Sequence, residues 1–119
     1  MLAKKIQLDE ASTQILKTMK ARTGLTHQYL CRLAFCLSLN EPGHPDPTSY
    51  DERGIEFNRY TLTGEWDRLV VAYVREWVAL EEPGQTADED SWFRGHINRG
   101  LSVLQRRVRS LADVTELVA

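Results

Sequence analysis

The stretch IQLDEASTQILKTMKARTGLTHQYLCRLAFCLSL, Ile6 to Leu39, decides how this chain folds. Ile6 and Leu8 alternate with Lys5 and Gln7, the period of a short strand with one face turned inward. Asp9 follows, an acceptor suited to the free N–H groups of a helix's first turn. A helix over 10–22 is expected, with Ala11, Ile15 and Met19 as its buried stripe, helped by Leu16. Gly24 ends it, because glycine takes positive φ without a Cβ penalty. Thr26 then caps a second helix that runs to about Leu39. Between Tyr29 and Leu39 only Arg32 and Ser38 are polar. A helix apolar on nearly every side must be covered on nearly every side. A chain of 119 residues has little with which to cover it. The expectation is a homo-oligomer in which Tyr29, Leu30, Leu33 and Leu37 form the subunit interface.

Strand, helix, Thr-Gly-Leu-Thr turn and helix is the order of a ribbon-helix-helix unit, and residues 1–40 resemble one. In such a unit two subunits pair their strands, and the ribbon can enter a major groove with outward side chains such as Lys5 and Gln7. This segment is locally basic: Lys4, Lys5, Lys17, Lys20, Arg22 and Arg32 face only Asp9 and Glu10. The whole chain has a net charge of −2, so composition hides the local excess. A nucleic-acid surface needs a positive patch rather than a positive total, since charge acts over a Debye length of about 10 Å. Lys17, Lys20 and Arg22 are the first candidates for phosphate contact, and Lys4 and Lys5 the next. A second basic run, Arg94, Arg99, Arg106, Arg107 and Arg109, contains no acid between its ends. The plainer reading of both runs is a solvated helix face.

The rest of the chain reads as helical. Pro42, Gly43, Pro45 and Pro47 make 40–54 a loop. Ile55 and Phe57 alternate with Glu56 and Asn58, a short extended piece. A third helix follows Thr63, with Trp66, Leu69, Val70, Tyr73, Val74, Trp77 and Val78 as its packed face, and Pro83-Gly84 stops it. The last helix is expected from Asp90 or Ser91 to Leu111, with Phe93, Ile97, Leu101, Leu104, Val108 and Leu111 inward and Arg99 and Arg106 opposite. Gly95 and Gly100 within it suggest close approach of another backbone. The class that emerges is mainly α: one compact helical domain over 1–119, ribbon-helix-helix-like over 1–40 and helical over 41–119, with little or no sheet.

Chemistry is sparse. There is no phosphate-cradling glycine loop, no zinc-protease helix motif and no nucleophile elbow. His27, His44 and His96 lie far apart, so no metal and no cofactor are expected. Cys31 and Cys36 point about 140° apart on one helix, which no disulfide spans; they read as reduced, buried thiols of a cytoplasmic protein. No apolar run is long enough for a membrane span. The segment Glu56 to Glu65 reads as a structural corner anchored by Ile55, Phe57 and Leu62, with Arg59 paired to Glu56, Glu65 or an acid of a second subunit.

Four segments carry a wider resemblance: KARTGLT (Lys20 to Thr26), LCRLA (Leu30 to Ala34), EFNRYTLTGE (Glu56 to Glu65) and HINRG (His96 to Gly100). Over nearly its full length the chain resembles the DndE family of DNA phosphorothioation proteins. The resemblance implies the small subunit of a system that replaces a non-bridging phosphate oxygen of DNA by sulfur. It also implies a helical tetramer without catalytic residues, which binds duplex DNA, nicked duplex included, through surface lysines. Its partners would be DNA and the other subunits of the sulfur-modification complex. The alternative is a ribbon-helix-helix transcriptional regulator, which would be a two-fold dimer selective for a short palindrome. A small nuclease acting at nicks is a third class, and would need acids clustered beside the basic surface.

Overall fold

The computed structural model describes residues 2–84 and 88–117. Strand β1 (Lys5–Gln7) leads into α1 (Glu10–Thr23), and α2 (His27–Asn40) follows. A loop with a 3-10 turn at Pro47–Ser49 reaches β2 (Glu56–Asn58), which passes directly into the short α3 (Arg59–Thr63). A second 3-10 turn (Gly64–Trp66) opens α4 (Asp67–Glu81); α5 (Glu89–Arg107) and α6 (Leu111–Leu117) complete the chain. The molecule is mainly helical, as its sequence pattern indicates.

The first two helices have the ends their capping residues dictate. Asp9 accepts from Ser12 N at 2.6 Å, and Gly24 turns the chain with φ of 76°. Thr26 then accepts from Tyr29 N at 3.3 Å. The buried face of α1 is rotated from the expected one. Ser12, Leu16, Met19 and Thr23 are buried, Ala11 is exposed and Ile15 only half-buried. Hydroxyls can go inside when local backbone satisfies them, and Thr23 Oγ1 donates to Met19 O at 2.7 Å.

Helix α5 runs through the centre of the molecule. Phe93, Ile97, Leu101, Leu104 and Val108 are buried as expected, but so are Trp92, Gly95, His96, Asn98 and Val103 on its other sides. It has core neighbours on several faces: α2 most extensively, then α1, α4, β1 and the Pro47–Ser49 turn. A Cβ on Gly100 would come 1.8 Å from Ala34 O, so this glycine lets α2 and α5 approach backbone to backbone. Gly95 meets only ordinary contacts with Pro45 and Pro47. The helix stops at Arg107, four residues earlier than the apolar spacing suggests, because Val108 adopts an extended conformation (φ −121°, ψ 120°). Leu111 begins α6 and is half-exposed.

The sheet has two strands. β1 runs antiparallel to β2 of the same chain, with Lys5 opposite Asn58, Ile6 opposite Phe57 and Gln7 opposite Glu56. Leu8 N to Ile55 O (3.0 Å), Gly54 N to Leu8 O (2.9 Å) and Arg59 N to Lys4 O (2.6 Å) extend the pairing. A strand pairing that the sequence suggested between two subunits is thus made within one. Ile6 and Phe57 face the core, and Gln7 Nε2 donates to Gly54 O at 2.9 Å.

Candidate nucleic-acid interface

Lys17 and Lys20 project from the C-terminal half of α1, where the buried stripe leaves both exposed. Arg22, in the last turn, is exposed as well, its guanidinium touching only Met19 Sδ at 4.0 Å. The turn at Gly24 brings this end of α1 beside the start of α2. The electrostatics report that proximity: burial first, then Lys20, then Lys17, lower the pKa of His27. The first turn of α2 adds its own positive dipole end to the same region. The α1–α2 corner therefore gathers the exposed side chains of Lys17, Lys20 and Arg22 near a helix N-terminus.

Lys4 and Lys5 stand elsewhere. Both are exposed on or beside β1, whose alternation turns Ile6 inward. Along α1 the rise of about 1.5 Å per residue separates Asp9, just after β1, from Lys20 by roughly 16 Å. Among the described residues, Lys4, Lys5, Lys17 and Lys20 enter no ion pair, so their charge is not neutralised locally. A surface for phosphates needs cations of this kind, exposed and without acidic partners.

The second basic run is dispersed by the fold. Arg99 is not opposite the core. Its Nε donates to Ser38 Oγ at 2.8 Å, one terminal nitrogen to Ser38 O at 2.6 Å, and the other to Gly43 O at 3.1 Å. It caps the carbonyl end of α2 and fastens the following loop to α5. Ser38 Oγ also lies 2.8 Å from His96 Nδ1, and His96 is buried against Trp77, whose ring centroid is 4.4 Å away. Burial, then Arg99 and His44, push the His96 pKa down to about 4. Arg94 pairs with Glu52 at 3.4 Å. Arg106, Arg107 and Arg109 remain exposed.

Arg59, at the start of α3, corrects the expected pairing with Glu56 or Glu65. It is buried and binds Asp67 through Nε at 3.0 Å and through a second nitrogen at 3.3 Å. It also donates to Leu2 O and to Ala3 O, and its guanidinium stacks 4.6 Å from the Tyr60 ring centroid. Thr63 Oγ1 completes the Asp67 shell at 2.8 Å. Asn58 caps α3 by accepting from Tyr60 N and Thr61 N, and Gly64 makes the corner with φ of 60°. The segment is a structural corner, and its arginine is spent on holding it.

Three further expectations also change. Leu30 is fully buried in the core of its own chain, where a subunit interface does not reach it. Tyr29 is exposed, and Leu33 and Leu37 are half-buried. Cys31 is buried, with burial pushing its thiol pKa up, whereas Cys36 is exposed rather than buried. The expected packed face of α4 is largely open: Val74 alone is fully buried, while Trp66, Leu69 and Tyr73 are half-exposed.

Fold and surface define a small helical protein with a two-stranded sheet and exposed cations along its first helix. Among the described residues no cluster of His, Cys, Asp and Glu could hold a metal, and no helix is long and apolar enough to cross a membrane. The family model described as "DNA sulphur modification protein DndE" matches residues 5–111, and the chain belongs to that family. It is similar to the crystal structure of DndE from Escherichia coli B7A involved in DNA phosphorothioation modification. The TM-score is 0.72 with 23% identity, over 87% of this chain and 98% of that one. A DndE G21/24K mutant involved in DNA phosphorothioation gives a TM-score of 0.70 with 20% identity, over 87% and 99%. At these identities the likeness is one of fold. No curated protein matches the sequence.

Proposed function

We propose that this chain is a non-catalytic, DNA-binding and scaffolding subunit of a DNA phosphorothioation complex, working in the cytoplasm as a homo-oligomer. Family membership supplies the context of DNA sulfur modification. The observation that carries the DNA-binding part is the exposed set Lys17, Lys20 and Arg22 at the α1–α2 corner, with Lys4 and Lys5 beside β1, none of them in an ion pair among the described residues. These side chains would grip phosphates of duplex DNA, nicked duplex included, and would carry little sequence information. The regulator alternative has less support, because β1 already has a strand partner, β2, in its own chain, so its hairpin forms without a second subunit. The reading of the chain as a scaffold is tested by co-purification with the other subunits, followed by assay of sulfur in DNA from cells lacking this chain. Loss of sulfur together with a stable complex is expected. Unchanged sulfur content contradicts the role.

A further inference from the structure

Arg106 and Arg107 close α5 and are exposed, and among the described residues neither enters an ion pair. Arg94 and Arg99, earlier on the same helix, are bound to Glu52 and to Ser38. Cations in a last turn complement the negative end of a helix, which by itself would account for the pair. Their position beside α2 says more.

Helices α2 and α5 pack antiparallel, and two contacts fix their register. Ser38 Oγ lies 2.8 Å from His96 Nδ1, and a Cβ on Gly100 would meet Ala34 O. Four residues back along α2, from 38 to 34, is thus four residues forward along α5, from 96 to 100, as helices of equal rise require. Carried seven residues further, the register sets Arg107 level with His27, the first residue of α2. Seven residues are nearly two full turns, so Arg107 leaves α5 on the side that Gly100 turns to α2. It is exposed there, at the level where α2 begins. Arg106 lies on the outer face, one turn beyond the exposed Ser102. His27 also feels α1, since Lys20 and Lys17 lower its pKa after burial does. The start of α2 is therefore the common neighbour of the α1 lysines and of the end of α5. From Ser91 to Ala112 the sequence has no acid, and the next are Asp113 and Glu116. The Asp113 carboxylate accepts from Arg109 N at 2.8 Å, so Arg109 has an acid beside it and is set apart from the pair.

We infer that Arg106 and Arg107 form a second phosphate-binding element, so that a DNA duplex gripped by Lys17 and Lys20 lies across the first turn of α2 and is held from α5 as well. Packed helices lie about 8–10 Å apart, and a duplex carries a charge every 1.7 Å or so of its axis, so one backbone reaches both sets. This placement rests on the phosphate reading of the α1–α2 corner, and the test separates the two. Affinity for a synthetic duplex of mixed sequence, intact and nicked, is measured across a salt series. The variants are Arg106→Ala with Arg107→Ala, the same pair changed to lysine, and Arg68→Glu. Arg68 is exposed on α4, and its reversal changes the net charge as much as the alanine pair does. The alanine pair should lose about fivefold or more in affinity and about two units of log–log salt slope, near 0.9 per contact. The lysine pair should keep the slope, and Arg68→Glu should keep both. An alanine pair that binds like wild type, while Lys17→Glu with Lys20→Glu weakens binding, overturns this inference and leaves the corner reading standing. If neither pair weakens binding, both fall. A loss equalled by Arg68→Glu also overturns it, because total charge rather than contact at the end of α5 would then govern binding.

Discussion

Arg59 is committed to more partners than any exposed cation of the chain: Asp67, two N-terminal carbonyls and the Tyr60 ring. At 5% exposure it cannot reach DNA, and removing it would leave Asp67 largely buried without its counter-charge. Breaking one side of such a pair typically costs about 3–5 kcal/mol. Arg59→Ala should therefore lower the urea midpoint sharply, and a loss below about 1 kcal/mol would contradict the structural role. His96 makes a second residue-scale prediction. Its folded pKa of about 4 lies below the ordinary 6.5, so the neutral ring is the form that folding favours. The stability it contributes is fully present above about pH 6.5 and is lost as pH falls through about 4, a change on the order of 3 kcal/mol. Melting temperatures of wild type and His96→Asn, measured from pH 7 to pH 4, should converge toward the acid end. Parallel profiles would show that His96 does not carry this dependence. That Arg59 pairs with an acid in a structural corner was legible from sequence; which acid, and the surroundings of His96, were not. Asp67 is separated from Arg59 by the turn at Gly64, and Ser38 and Arg99 lie far from one another along the chain.

Capping chemistry explains why some elements were legible and others not. Asp9, Gly24 and Thr26 mark their helix boundaries through local backbone bonds, so α1 and α2 could be placed to within a residue. β1 and β2 are three residues each, and their pairing depends on a contact across some fifty residues, which no local pattern encodes. Helix α4 was misread for a different reason. Its apolar residues go more than halfway round the helix, and periodicity cannot say which part a small chain leaves uncovered. The opposite error occurred on α5, where residues expected to face water meet α2 and the loop after it. Gly100 was readable as a close approach, and the structure supplies the partner, Ala34. Gly100→Ala should force α2 and α5 apart and cost more than the ordinary gain of about 1 kcal/mol from replacing a helical glycine by alanine. A stabilised variant in thermal melting would contradict that packing.

At the scale of the molecule, a chain of net charge −2 exposes Lys17, Lys20 and Arg22 together at the end of α1. The exposure of Lys17, Lys20 and Arg22 was legible because a basic cluster in a capped amphipathic helix has to stand off the buried face. What sequence left open was whether these cations are spent on neighbouring acids; among the described residues Lys17 and Lys20 are in no ion pair. The arginines of α5 show the contrast, since Arg94 and Arg99 are bound within the chain. We propose that DNA is held by its phosphates at the α1–α2 corner. The most direct test of this is the affinity of wild type and the Lys17→Glu, Lys20→Glu double variant for intact and nicked duplexes of several sequences, across a salt series. At least a tenfold loss is expected, similar for every sequence, with a log–log salt dependence shallower by about two units, near 0.9 per phosphate contact. Unchanged affinity for nicked duplex, or a loss confined to one sequence, would contradict it.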